Sequence, residues 1–138
     1  MSAKAEFKIR NSFASQTFMQ SIKAKLLVVR EGYIEIELPF NKDYLQHTQF
    51  IHGSVIAGIA DTACGYACIT LAQENEEMLT LEYKINFLKP ANGSYFTAKA
   101  KVIRNGKRVK VAQCEVVNDK QLVVAYMIAT IITSSNPV

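Results

Sequence analysis

The stretch FIHGSVIAGIADTACGYACITLAQ, residues 50–73, holds a single carboxylate, Asp61, in a run of small and apolar residues, nine positions after His52. A carboxylate taken out of water without a partner is costly. Asp61 is therefore either a structural residue satisfied by a buried loop or a group kept there for chemistry, and the second reading is the better one. Cys64 and Cys68, four apart on the same segment, have the spacing of one edge of a metal site. No histidine or further cysteine stands at zinc-finger spacing, so they read as small core fillers, and no metal or cofactor is expected. The most basic stretch is RNGKRVK, from Arg104 to Lys110. Its charges, Arg104, Lys107 and Arg108, either steer an anionic ligand or keep a strand edge soluble.

The rest of the chain must position these groups. It has 138 residues, 49% of them hydrophobic and 20% charged, which predicts one folded domain over residues 1–138 with a proper core. The net charge of +4 is spread out, with no basic stripe and interleaved aromatics, so a nucleic-acid partner is not expected. Three cysteines form no paired framework. With no signal-peptide pattern at the start, this predicts a cytoplasmic protein. Asp61 and the glycines within the apolar segment argue against a membrane span.

EFKIRNSFASQTFMQSI reads as one amphipathic helix with Phe13, Ala14, Thr17 and Phe18 on its apolar side. AKLLVVR and YIEIELPF follow as strands joined at Glu31-Gly32; in the second, Ile34, Ile36 and Leu38 alternate with Glu35 and Glu37. Residues 53–73 predict a long helix, apolar nearly all round and so enclosed by other structure. Gly58 and Gly65 lower its propensity by about 1 kcal/mol each, implying close approach of a neighbouring backbone. LTLEYKINFLK places Leu79, Leu81, Tyr83, Ile85 and Phe87 on one strand face. SYFTAKAKVIR and KRVKVAQCEVV predict a hairpin with a two-residue turn at Asn105-Gly106. QLVVAYMIATIIT is nearly continuous in apolar residues, which predicts cover on both faces. A helix, two strands, a long helix and four antiparallel strands assemble most economically as an α+β hotdog fold, an antiparallel sheet wrapped around one long central helix with a short helix at the N-terminus. The two-sided last strand predicts an oligomer.

FIHGSVIAGIADTACGYA resembles the His-Gly-small…Ala-Asp-Ser/Thr-Ala signature of the PaaI-like hotdog acyl-CoA thioesterases. FASQTFMQSIKAKL, FLKPA and NGKRV are similar to that family as well, so the resemblance runs from about Phe13 to Ile132. It implies hydrolysis of an acyl-coenzyme A thioester in a homodimer with two sites, often paired into a dimer of dimers. Coenzyme A would be part of the substrate and no separate cofactor is implied. By position Asp61 matches the family's catalytic carboxylate, and Gly53 the residue whose backbone N–H polarises the thioester carbonyl. Gln46 falls where relatives carry Asn or Gln, and Thr80 where some hold water with a hydroxyl. Ser54 departs from the family, which more often has a second glycine there.

The implied chemistry suits these residue types. A helix start offers unpaired N–H groups to a developing oxyanion, and glycine lets the carbonyl come close. Asp61 serves as general base to water or as a nucleophile forming an anhydride, and both routes stay open. Gly53 and Asp61 are eight residues apart, roughly 12 Å along one helix, whereas groups serving one carbonyl must lie within about 3 Å of the reacting atoms. If both act, each must come from a different subunit. His52 is read as holding the loop rather than as catalytic, and Phe50 and Tyr66 either line an acyl pocket or belong to the core. Lys89, Arg104 and Arg108 either contact coenzyme A phosphates or are plain surface charges. Two rivals stand beside the thioesterase. A hydratase would need a histidine after the aspartate, and here His52 precedes Asp61. A non-catalytic acyl-CoA-binding or assembly module of the same fold is the other.

Overall fold

The strand YIEIELP shows how the sheet is built. On β2 (Tyr33–Pro39), Ile34, Ile36 and Leu38 are fully buried and the residues between them are half-exposed. Each such burial stabilises the fold by about 1.5–3 kcal/mol. In the computed structural model, which describes residues 1–134, β2 pairs with β1 (Lys25–Arg30) through the tight turn at Glu31-Gly32, where Gly32 takes a left-handed φ of 69°. The remaining strands are β3 (Glu77–Phe87), β4 (Tyr95–Asn105), β5 (Val109–Asn118) and β6 (Val123–Ser134). All pair antiparallel in one six-stranded sheet of order β1-β2-β4-β5-β6-β3. The central helix α3 (Gly53–Ile69) packs on one face of it, against β2, β4, β5, β6 and β3. Among the described residues no helix is long and apolar enough to cross a membrane.

Several elements depart from the sequence reading. The N-terminal helix is two pieces, α1 (Ala3–Ala14) and α2 (Thr17–Ser21), because Gln16 is extended. The break turns the second piece, so Ile9, Phe13, Met19 and Ile22 are buried while Ala14 and Thr17 are exposed and Phe18 is only partly covered. Helix α3 ends at Ile69 rather than residue 73. Its cap Thr70 spends its hydroxyl as acceptor from the Gly32 N–H at 2.7 Å and donor to the Ala67 carbonyl at 2.7 Å.

Asn105-Gly106 does not form the two-residue turn, since neither residue takes a positive φ. Instead the buried Lys110 reaches across the hairpin end, donating to Asn105 Oδ1 at 2.7 Å and the Gly106 carbonyl at 3.1 Å, and the turn widens to residues 106–108. Strand β3 carries a bulge between Thr80 and Glu82. The extra residue shifts the alternation, so Thr80, Tyr83, Ile85 and Phe87 lie opposite the buried Ile131, Ala129, Met127 and Ala125 on the helix side. Leu79, opposite Ile132, belongs to the other face. The apolar row predicted on β3 is therefore split, and most of it is exposed: Leu79, Leu81, Tyr83 and Phe87 are all more than a third open. On β6 only Val124, Ala125, Met127, Ala129 and Ile131 are buried, while Ile128 is exposed, so the second face is not covered within this chain.

Candidate active site

The start of α3 is set by its own loop. The His52 N–H donates to the Tyr44 carbonyl at 2.7 Å and the Ile51 N–H to the Ala91 carbonyl at 3.2 Å, which pins the chain just before the helix. His52 is the N-cap. Its Nδ1 accepts from the Ser54 N–H at 3.0 Å and lies 2.6 Å from Ser54 Oγ, and the His52 carbonyl takes the Val55 N–H at 3.0 Å. A ring that accepts at Nδ1 carries its proton on Nε2. This leaves the Gly53 N–H with no acceptor among the described residues, at the positive end of a 17-residue helix. The Phe87 ring lies directly on Gly53: a Cβ added there would meet Phe87 Cζ at 2.9 Å.

Asp61 sits further along α3, on a side the sheet does not cover. Ile56, Ile59, Ala60, Ala63, Cys64 and Ala67 are fully buried, whereas Ser54, Gly58, Asp61, Thr62, Gly65 and Ile69 form a half-open stripe at helical spacing. The helix is thus not enclosed all round. Nor does a backbone approach the glycines: the Phe18 ring covers Gly58, where a Cβ would meet Cε1 at 2.9 Å, and nothing lies within 4 Å of a Cβ at Gly65. On this stripe Thr80 Oγ1 donates to Asp61 Oδ1 at 2.8 Å. The β3 bulge beside Thr80 belongs to that geometry, because it sets which residues of the edge strand face the helix. With Oδ1 held, Oδ2 has no hydrogen-bond partner among the described residues.

The predicted residues divide into those the structure gathers and those it separates. A cleft of about 390 Å³ at the helix start is lined by Gln46, Phe50, Gly53, Phe87, Lys89 and Val124 among others. Gln46 Oε1 accepts the Thr48 N–H at 2.7 Å, so its amide shapes the loop. Asp61 and Thr80 form the second group, eight residues along α3 from Gly53 and so roughly 12 Å away. Tyr66 joins neither. It is buried, its hydroxyl lies 2.9 Å from Ser12 Oγ and accepts from Gln16 Nε2 at 3.1 Å, and its ring meets Phe13 edge-on at 5.7 Å; it fastens α1 to α3. Arg104 and Arg108 flank the β4–β5 turn, at the opposite end of β5 from the β5–β6 turn and Val124, about 30 Å from the Gly53 end. The sequence places Phe87 on one apolar strand face and gives it no part in the site; its place two residues before Lys89-Pro90 is the one local signal of its role.

The thiols stay out of the chemistry. Burial pushes Cys68 up to about 12. A hydrogen bond to Cys114, together with burial, pushes Cys64 up as well, so neither offers a thiolate near neutral pH.

Comparison with known proteins decides the family. Residues 48–125, which hold the helix start, Asp61 and Thr80, match the thioesterase superfamily. The chain belongs to that superfamily. A thioesterase family protein from Silicibacter pomeroyi superposes with a TM-score of 0.89 at 32% identity, covering 94% of this chain and 97% of that one. The PaaI protein of the phenylacetic acid degradation operon of Escherichia coli superposes with a TM-score of 0.88 over 95% of this chain and 94% of its own, at 24% identity, and so shares the fold. The medium/long-chain acyl-CoA thioesterase YigI of Escherichia coli K12 is 33% identical over 93 residues, 58% of this chain and 60% of YigI. The chain thus spans about three fifths of that relative's length. It is a hotdog-fold member of the thioesterase superfamily.

Proposed function

We propose that this protein hydrolyses an acyl-CoA thioester at a site shared between two copies of the chain. One observation carries the reading: Asp61, steadied by Thr80, lies on the uncovered stripe of the helix whose first N–H, at Gly53, is free, and the two are too far apart to serve one carbonyl. Gly53 of one subunit and Asp61 of the partner subunit then converge when two such helices run antiparallel about a twofold axis. The open space at Gly65 and the unpaired edge of β3, with Leu79, Leu81, Tyr83 and Phe87 exposed, support a second copy at this seam. The uncovered outer face of β6 supports a further pairing of dimers. The name of YigI supports an acyl-CoA as the substrate, and three buried unpaired cysteines support a cytoplasmic setting.

In this reading the thioester oxygen accepts the Gly53 N–H, a donor worth about 2.7–4 kcal/mol in the transition state. Asp61 Oδ2 either takes a proton from a water that attacks the carbonyl carbon, or attacks that carbon itself to give an anhydride that water then opens. Collapse of the oxyanion expels the coenzyme A thiolate in both routes. The test is a panel of acyl-CoAs with a thiol-detecting reagent; the protein's own thiols are buried, so released coenzyme A is the signal. Asp61→Asn keeps an acceptor for Thr80 and is expected to lower kcat by about 10²–10⁴ with fold and assembly intact. Coenzyme A binding without release by the wild type supports a binding module instead. Release undiminished in Asp61→Asn takes Asp61 out of the chemistry.

A further inference from the structure

The short helix α2 lays one aromatic ring on the central helix without needing that ring as its anchor. Met19 within α2 and Ile22 just after it are buried. At its start Gln16 Nε2 donates to the Tyr66 hydroxyl at 3.1 Å, and at its end the Ser21 carbonyl accepts from the Tyr44 hydroxyl at 2.6 Å. The Tyr44 carbonyl in turn accepts the His52 N–H at 2.7 Å, so α2 is tied to the loop that starts α3. Phe18 lies outside these attachments. Its ring edge covers Gly58, where a Cβ would meet Cε1 at 2.9 Å, yet the residue is 49% exposed. Gly58 stands three residues before Asp61, and positions at that spacing are neighbours on a helix surface, about 5–6 Å apart at Cβ.

The twofold arrangement proposed above gives this ring a place in the site. With Gly53 of each copy level with Asp61 of the other, Ala57, midway between them, lies at the level of the axis. Gly58 is the next residue. The two Phe18 rings, one from each copy, therefore stand at the level of the middle of the seam, with an Asp61 roughly 6 Å along the helix on either side. Two directions lead along the seam from each carbonyl. The coenzyme arm carries phosphates, which are costly to take out of water unpaired, so it runs outward. The acyl group is left the inward path, over Gly58 toward Phe18.

We infer that Phe18 is the wall on which the acyl group ends, and that it sets the longest chain the site accepts. The inference rests on the proposed thioesterase reading and deepens it, because it names the substrate class: acyl-CoAs of limited length whose far end is apolar. The open part of a phenyl ring gains by covering an alkyl or aryl end, whereas a charged or hydroxylated end set against it loses water without finding a partner.

The test is kcat/KM for straight-chain acyl-CoAs from acetyl to palmitoyl. The wild type is expected to fall off sharply past one length. Phe18→Ala should raise kcat/KM for the first rejected chain about tenfold or more relative to acetyl-CoA, and Phe18→Trp should lower it for the last accepted chain by a similar relative factor. Should the alanine variant fail to fold, Phe18→Leu, which keeps an apolar contact with Gly58, shifts the limit in the same direction by a smaller factor. A ring that only packs α2 would, when changed, move every chain length alike. Equal effects at all lengths, an unshifted limit, or a wild type with no limit would overturn the assignment. Calorimetric titration with S-alkyl coenzyme A thioethers of the same lengths, which cannot be hydrolysed, separates this from failure of the function. If the wild type cleaves nothing yet binds the thioethers up to a length that the alanine or leucine variant extends, the thioesterase reading falls and the wall stands. If it cleaves nothing and binds none of them, or binds them to a length that neither variant extends, the wall falls.

Discussion

Gly53→Pro tests the oxyanion donor with little disturbance to the backbone. Gly53 is the first residue of α3, the position where proline's missing N–H and fixed φ are best tolerated. The preceding His52 has φ −59° and ψ 134°, the extended geometry that a following proline requires. The new Cβ would stand 2.9 Å from Phe87 Cζ, but that ring is 54% exposed at the end of an edge strand and can turn aside. The stability cost should therefore fall at the low end for overpacking, about 1 kcal/mol. Gly53→Ala introduces the same Cβ and keeps the N–H, so it carries the steric term alone. The ratio of kcat between the alanine and proline variants then isolates the donor, and about 10²–10³ in favour of alanine is expected. Steady-state release of coenzyme A, with thermal melts to show that both variants fold, gives the ratio; Phe87→Ala in both backgrounds removes the shared collision. Equal kcat for the two variants would refute the role of the Gly53 N–H, however inactive both proved to be.

Thr80→Val removes the hydroxyl bonded to Asp61 Oδ1 and should lower kcat about tenfold with KM unchanged, while Thr80→Ser restores it; an unaltered valine variant would mean the bond does not steady the carboxylate. Mixing Gly53→Pro with Asp61→Asn under subunit exchange should recover about a quarter of wild-type activity, since half the dimers are hybrids and each hybrid has one intact site; demonstrated hybrids with no recovery would refute sites built across the seam. Gly65→Ala should raise helix propensity by about 1 kcal/mol. Because nothing of this chain lies within 4 Å of the added methyl, a variant that melts higher and keeps both assembly and activity would show that no second copy uses the stripe, whereas dissociation or lost activity is expected.

Much of this architecture could be read from local pattern because the residues concerned act locally. The alternation on β2 reports one buried face, and the His-Gly pair marks a helix start whose cap forms between residues two apart. The features that escaped depend on partners distant in sequence. Nothing in LTLEYKINFLK announces the bulge at Leu81, whose consequence appears only against the register of β6, about 50 residues later. Asn105-Gly106 has the composition of a tight turn, yet the ammonium of Lys110 finds its acceptors at that same end and opens the loop. Of the site, Asp61 stands out as an exception to its surroundings, and Gly53 is marked by the resemblance of the His-Gly motif. That Phe87 rests on Gly53 and that Tyr66 fastens α1 are facts of packing that spacing along the chain does not encode.

The central helix breaks the rules of a buried helix at three places, and all three fall on one stripe. Gly58 and Gly65 lower its propensity, and Asp61 puts a charge among alanines and isoleucines. Packing within the chain accounts for part of this. The rings of Phe87 and Phe18 occupy the space that side chains at Gly53 and Gly58 would need. It does not account for Gly65, which nothing approaches, nor for Asp61, whose only described partner is a single hydroxyl. A surface shaped solely for this chain's own stability would carry alanine at residue 65, because alanine there gains helix propensity and meets no neighbour. The stripe is therefore better explained by what must come up to the helix from outside. The same inference follows from β3, an 11-residue edge strand with exposed leucines and aromatics and no proline to blunt it. Both surfaces flank Asp61, one on the helix that bears it and the other on the strand that supplies Thr80. An approach that closes them also brings a second helix start, with its free Gly53 N–H, toward the carboxylate. Assembly and catalysis then make the same demand on these residues, and that shared demand is what keeps an otherwise unfavourable stripe in the sequence.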